Sequence, residues 1–149
     1  MTSAILDTDT LSELARGNLQ VRSRAAEYLA TFGRLTTTAV TVFERVRGYR
    51  LAIREGRPFE SQLKTFEVLV AESNVLPFDG DAASVAARIW SAVSRSRRQE
   101  LGDILIAAIA ISRRLPLVTR NRRDFENICE DAGMKLPLLD WTRPARRAG

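Results

Sequence analysis

The chain contains no histidine. Imidazole is therefore unavailable as a general base, and Ser-His-Asp, Cys-His and histidine-ligated zinc arrangements are excluded. The single cysteine, Cys129, rules out an intrachain disulfide and a thiolate zinc site, and within residues 125–129 it reads as a small buried apolar side chain. Lysine is almost absent: Lys64 and Lys135 are the only two, so nearly all of the 23 basic residues are arginine. No apolar run approaches the ~20 residues of a membrane span. The start, Met1-Thr-Ser-Ala-Ile-Leu-Asp7, lacks a basic lead-in, so no signal peptide is expected and the expected location is cytoplasmic. What remains for chemistry is carboxylate, hydroxyl, guanidinium and metal.

With 149 residues, 45% hydrophobic and 28% charged, the composition fits one soluble domain with a substantial core. No repeat, low-complexity stretch or linker divides it, and residues 143–149 are expected to form a flexible basic tail. The net charge of +5 is carried by arginine, whose planar fork suits phosphate, which fits a nucleic-acid partner. Runs such as Arg95-Ser-Arg97-Arg98 fit solvated helix faces equally well, so charge alone does not choose.

Strand and helix patterns alternate. Short apolar or β-branched runs predict strands at 3–6, 35–39, 75–78, 116–119 and, at an edge, 135–139. Thr8 or Asp9 is expected to cap a helix reaching residue 16, with further helices at 21–31, 40–54 and 59–72. Ala82, Val85, Ala86, Ile89, Trp90 and Val93 form an amphipathic stripe, and 103–114 is apolar nearly all round, as a buried helix should be. Such alternation implies an α/β domain with a mainly parallel central sheet flanked by helices.

The acids fall beyond the strands. Asp7 ends the first, Glu44 follows the second, Asp103 opens the buried helix, and Asn121 and Asp124 follow the strand that ends at Thr119. Residues just past the carboxyl ends of parallel strands converge on one crevice. Several carboxylates there raise one another's pKa unless a cation is present, and a hard divalent metal is the economical one. Each acid alone also fits a helix cap or a surface position. Capping explains Asp9 better than Asp7.

In their order and spacing, Ile5-Leu-Asp-Thr-Asp-Thr-Leu-Ser-Glu13, Thr38-Ala-Val-Thr-Val-Phe-Glu44, Leu76-Pro-Phe-Asp79, Gly102-Asp-Ile-Leu-Ile-Ala-Ala108, Leu117-Val-Thr-Arg-Asn-Arg-Arg-Asp-Phe125 and Leu138-Leu-Asp-Trp141 resemble a PIN-domain ribonuclease of the VapC toxin type. The resemblance covers essentially the whole chain and implies a single PIN-like, Rossmann-like domain. It implies an endoribonuclease that uses Mg²⁺ or Mn²⁺, is neutralised by a small cognate antitoxin, and forms a homodimer. Asp7, Glu44 and Asp103 then correspond to the core metal-binding acids. The fourth acidic position falls on the neutral Asn121, which Asp124 one turn later is expected to offset, and Thr119 is expected to orient substrate or water. An Arg rim drawn from Arg120, Arg122, Arg123, Arg143, Arg146 and Arg147 would attract RNA phosphates. The helices over 40–72 are candidate dimer and antitoxin surfaces, with ordinary core packing as the alternative.

Two other readings compete. Asp7-Thr-Asp9-Thr-Leu11 resembles the nucleophile motif of haloacid-dehalogenase-like phosphatases, with Asp7 attacking phosphate and Asp9 as general acid. That reading needs an acidic pair after a further buried strand, whereas Asp103 follows the polar run 94–100. A non-catalytic RNA or protein interaction module, its acids serving only as helix caps, is the third.

Overall fold

A computed structural model describes residues 1–144; Arg146 and Arg147, with most of the expected tail, lie outside the described residues. The elements run β1 (Ile5–Leu6), α1 (Thr8–Arg16), α2 (Leu19–Phe32), β2 (Thr36–Thr38), α3 (Ala39–Arg54), α4 (Glu60–Ala71), β3 (Asn74–Leu76) and α5 (Gly80–Ala92). A 3-10 turn (Arg97–Gln99) then leads into α6 (Leu101–Arg113), β4 (Leu117–Val118), α7 (Arg122–Ala132) and β5 (Leu138–Leu139).

All strand pairings are parallel, with β1-β4-β5 in one sheet and β2-β3 in another. β2 lies alongside the free edge of β1, where the Thr37 hydroxyl donates to the Leu6 carbonyl at 2.9 Å. Side chains alternate across a strand, and here both faces are covered. Ile5 and Leu117 point into a core built by α5, α6 and α7, whereas Leu6 and Val118 point into one built by α1, α2 and Trp141. Ile104 and the run Ile106–Ala110 bury α6 almost completely.

The strands are two or three residues long, shorter than the apolar runs suggest, because the chain turns into a helix almost at once. Asp7 is the N-cap residue of α1, so neither Thr8 nor Asp9 takes the expected capping position. The helix α6 begins at Leu101, which puts Asp103 inside its first turn rather than at its start. Gly17 and Gly33, at φ 84° and 78°, end α1 and α2 in the left-handed conformation that favours glycine.

So short a β1 needs a lateral anchor, and Tyr28 of α2 supplies it. Its buried hydroxyl accepts from the Ala4 amide at 3.1 Å and donates to the Ala4 carbonyl at 3.2 Å. Tyr28→Phe should leave both buried backbone groups unpaired and lower the unfolding free energy by about 1–3 kcal/mol. Urea denaturation of the two proteins measures the difference.

Candidate active site

The register fixes the first contact. Ile5 pairs with Leu117 and Leu6 with Val118, so one step further brings Asp7 beside Thr119. The Thr119 hydroxyl donates to Asp7 Oδ2 at 2.9 Å and accepts from the Asn121 amide at 3.0 Å, and both side chains are buried. Asp9 reaches the same loop, its Oδ2 accepting from the Arg120 amide at 3.0 Å.

From the other side of the crevice comes Glu44 on α3, whose Oε1 accepts from the Thr8 hydroxyl at 3.0 Å. Its second oxygen lies over Gly102, where a Cβ would stand only 2.5 Å away. Asn121 Nδ2 donates to Asp103 Oδ2 at 3.4 Å. Carboxylate oxygens of Glu100, Asp103 and Asp124 lie within 4.8 Å of one another, the one such trio among the described residues. Asp7 and Glu44 border this trio without joining it at that distance.

Side-chain capping does not account for Asp7 or Glu100, while Asp9, Asp103 and Asp124 lie in the first turns of α1, α6 and α7. Where α2, α3 and α5 need caps, the side chains of Asn18, Thr38 and Asp79 accept backbone N–H groups. Asp7, Glu100 and Asn121 occupy the equivalent positions of α1, α6 and α7, yet none of their side chains makes a cap bond. Nor are the acids neutralised. Among the described residues none of Asp7, Asp9, Glu44, Glu100, Asp103 and Asp124 forms an ion pair, although bases outnumber acids 23 to 18 in the chain.

The electrostatic consequence is marked. Burial, then the charge of Asp9, raises Asp7 from 3.8 to about 7, against the pull of the Thr119 hydroxyl and the Thr8 amide. Burial, then the charges of Glu44, Glu100, Asp124 and Asp9, raises Asp103 from 3.8 to about 6.

All six positions expected from the sequence border this crevice. Glu100 was missed because the polar run 94–100 carries no strand or helix period. Asp9 was read as a cap, and no local pattern shows that its carboxylate crosses to the loop after β4. Of the rim arginines, Arg120, Arg122 and Arg143 pair with Glu13, Glu126 and Asp140 at 3.2, 3.8 and 3.3 Å, and Arg123 is exposed. A cavity of about 570 Å³ lies not at the acids but beside β5, lined in part by Arg24, Arg122, Trp141 and Arg143. A second, about 470 Å³, opens between α1, α3 and α4 over Leu11, Leu14, Tyr49, Phe66 and Leu69.

The PIN domain family model matches residues 4–131. Ribonuclease VapC5 of Mycobacterium tuberculosis is 40% identical over 90 residues, 59% of this chain and 64% of that protein, so the match spans less than two thirds of that relative. Ribonuclease VapC of Rickettsia bellii is 29% identical over 139 residues, 91% of this chain and 98% of the relative. The structure of DNA-bound VapBC from Salmonella typhimurium has a TM-score of 0.72 at 25% identity, covering 95% of this chain and 99% of that one. A shared fold, a matching family model and relatives along most of its length place the chain in the PIN domain family.

Proposed function

We propose that the chain is a divalent-metal-dependent endoribonuclease and the toxin of a toxin–antitoxin pair. The observation that carries this is the convergence of six carboxylates without an ion pair on one crevice at the carboxyl ends of β1 and β4. Likeness to the VapC ribonucleases supports RNA as substrate, and likeness to a VapBC assembly supports an antitoxin partner.

The donors present fit Mg²⁺ or Mn²⁺: all are hard oxygens, and Asp7 and Asp103 carry charge comfortably only beside a cation. Asp7, Glu44 and Asp103 would hold the metal, with Asp124 beside them. When bound, the cation supplies neutralising charge for the scissile phosphate and activation of water as nucleophile. Thr119 holds the Asp7 carboxylate in place, and Thr8 does the same for Glu44. Asn121, through its amide, steadies Asp103.

The phosphatase alternative is not favoured, since Asp9, its general acid, is bound to the Arg120 amide and the chain is a PIN domain. Attraction for RNA falls to Arg120, Arg122, Arg123 and Arg143, of which Arg122 and Arg143 line the cavity beside β5. Of their ion pairs, Arg122–Glu126 is exposed on both sides, is worth about 0–1 kcal/mol and exchanges readily for phosphate. The apolar cavity between α1, α3 and α4 would receive the antitoxin, and exposed Phe43, Leu51 and Val68 on α3 and α4 suit a second copy of the chain. No helix among the described residues is long and apolar enough to cross a membrane. A cytoplasmic location belongs to the same proposal, because its substrate is there.

Purified protein should cut an RNA pool with Mg²⁺ or Mn²⁺ and stop in EDTA. Asp7→Asn and Asp103→Asn should each lose at least ~100-fold with the fold intact, the upper range for disturbed metal sites. Cutting that survives either change or EDTA would refute the assignment. Gly102→Ala separates site from scaffold. The added methyl meets the Glu44 carboxylate rather than backbone, and alanine favours a helix by about 1 kcal/mol. The melting temperature should hold or rise while cleavage falls at least ~10-fold.

The pH dependence of metal-free stability has a definite sign. The folded carboxyls of Asp7 and Asp103 keep their protons up to about 7 and about 6, whereas the unfolded chain releases them near 3.8. Across that window the folded state binds more protons, so stability should fall as pH rises from 4 to 7.5. In EDTA, Asp7→Asn should melt several degrees above the parent at pH 8 and lose most of that advantage at pH 4.5. Differential scanning calorimetry reads both, and Mg²⁺ should stabilise the parent more than the variant.

A further inference from the structure

Glu100 is an acid whose side chain the fold leaves without employment. It occupies the N-cap position of α6, but the Ile104 amide bonds to its backbone carbonyl at 3.2 Å and its side chain caps nothing. Oxygen Oε2 is buried and accepts no hydrogen bond. The two arginines nearest in sequence are turned elsewhere. Arg97 pairs with Asp131 at 3.7 Å, and Arg98 donates to the Trp90 carbonyl at 3.1 Å while stacking over the Trp90 ring.

What the Glu100 carboxylate does approach is two more carboxylates, those of Asp103 and Asp124, all within 4.8 Å. A buried carboxylate oxygen with no donor is costly, and two like charges beside it add to the cost. A hard divalent cation removes both penalties at once by taking one oxygen from each acid and completing its shell with water. Asn121 presents its amide nitrogen to Asp103 Oδ2 at 3.4 Å and brings no negative charge to balance a cation. Resting on the metal-dependent reading of the crevice, we propose that Glu100 is a ligand of its divalent cation, completing with Asp103 and Asp124 the flank that the neutral Asn121 leaves short of charge.

The test is Mn²⁺ binding to the purified full chain, read as free Mn²⁺ by electron paramagnetic resonance, with no catalysis required. Glu100→Gln, nearly isosteric, should lose one bound ion or at least ~10-fold in affinity. Because residue 121 already touches Asp103, adding Asn121→Asp to Glu100→Gln should restore binding. A parent that binds Mn²⁺ with a Glu100→Gln variant that binds it equally well overturns the assignment and leaves the metal reading standing. A parent that binds none overturns both. A loss that Asn121→Asp leaves unrepaired marks Glu100 as structural and overturns the assignment too. Should Glu100→Gln fail to fold, the side-chain carboxyl ¹³C signals of the unmodified protein are followed during a Mg²⁺ titration. A saturating shift at Glu100 supports the ligand role, and a shift at Asp103 with none at Glu100 overturns it.

Discussion

Negative charge that the protein does not neutralise for itself governs this structure. Six acids from β1, α1, α3, α6 and α7 face one crevice, while the arginines around them are committed to other partners or to solvent. Such an arrangement is poor for stability in isolation, and it persists because the surrounding framework leaves it no freedom. Ile5, Leu6, Leu117 and Val118 are fully buried on both faces of the sheet, so the strand register cannot slip without exposing one core or the other. Asp7 and Thr119 meet because of that register, and Asn121 and Asp103 are positioned from the same loop.

The division of labour between local and distant interactions explains how far the sequence could be read. The α/β alternation, the buried character of α6 and the placement of Asp7, Glu44 and Asp124 beyond strands all follow from patterns a few residues long, and each was legible. Most other strand limits were not: the expected 35–39, 116–119 and 135–139 shrink to Thr36–Thr38, Leu117–Val118 and Leu138–Leu139, because whether a residue pairs depends on what lies across from it. Asp103 reads as a helix opening only if the preceding polar run is taken as loop, whereas α6 begins two residues earlier at Leu101. Glu100 and Asp9 illustrate the same limit. Both look like ordinary polar residues near helix starts, and only the fold shows that their carboxylates are spent on neither backbone cap.

Charge is segregated rather than mixed. The net surplus of arginine sits outside the crevice, and none of its ion pairs is with the crevice acids among the described residues. On the proposed metal-dependent reading, the acids inside would repel a polyanion until a cation arrives, and metal and substrate would depend on one another in binding. Glycine at position 102 fits the same economy of space, since its missing side chain is what lets the Glu44 carboxylate lie against the start of α6.

The contact between Asp7 and Thr119 joins residues 112 apart in the chain. β1 has no ladder partner until β4 has been made, and the acid at residue 7 has no hydroxyl to hold it until residue 119 exists. A chain cut short before residue 117 therefore carries most of the acids with neither a strand to pair β1 nor a hydroxyl to hold the first of them.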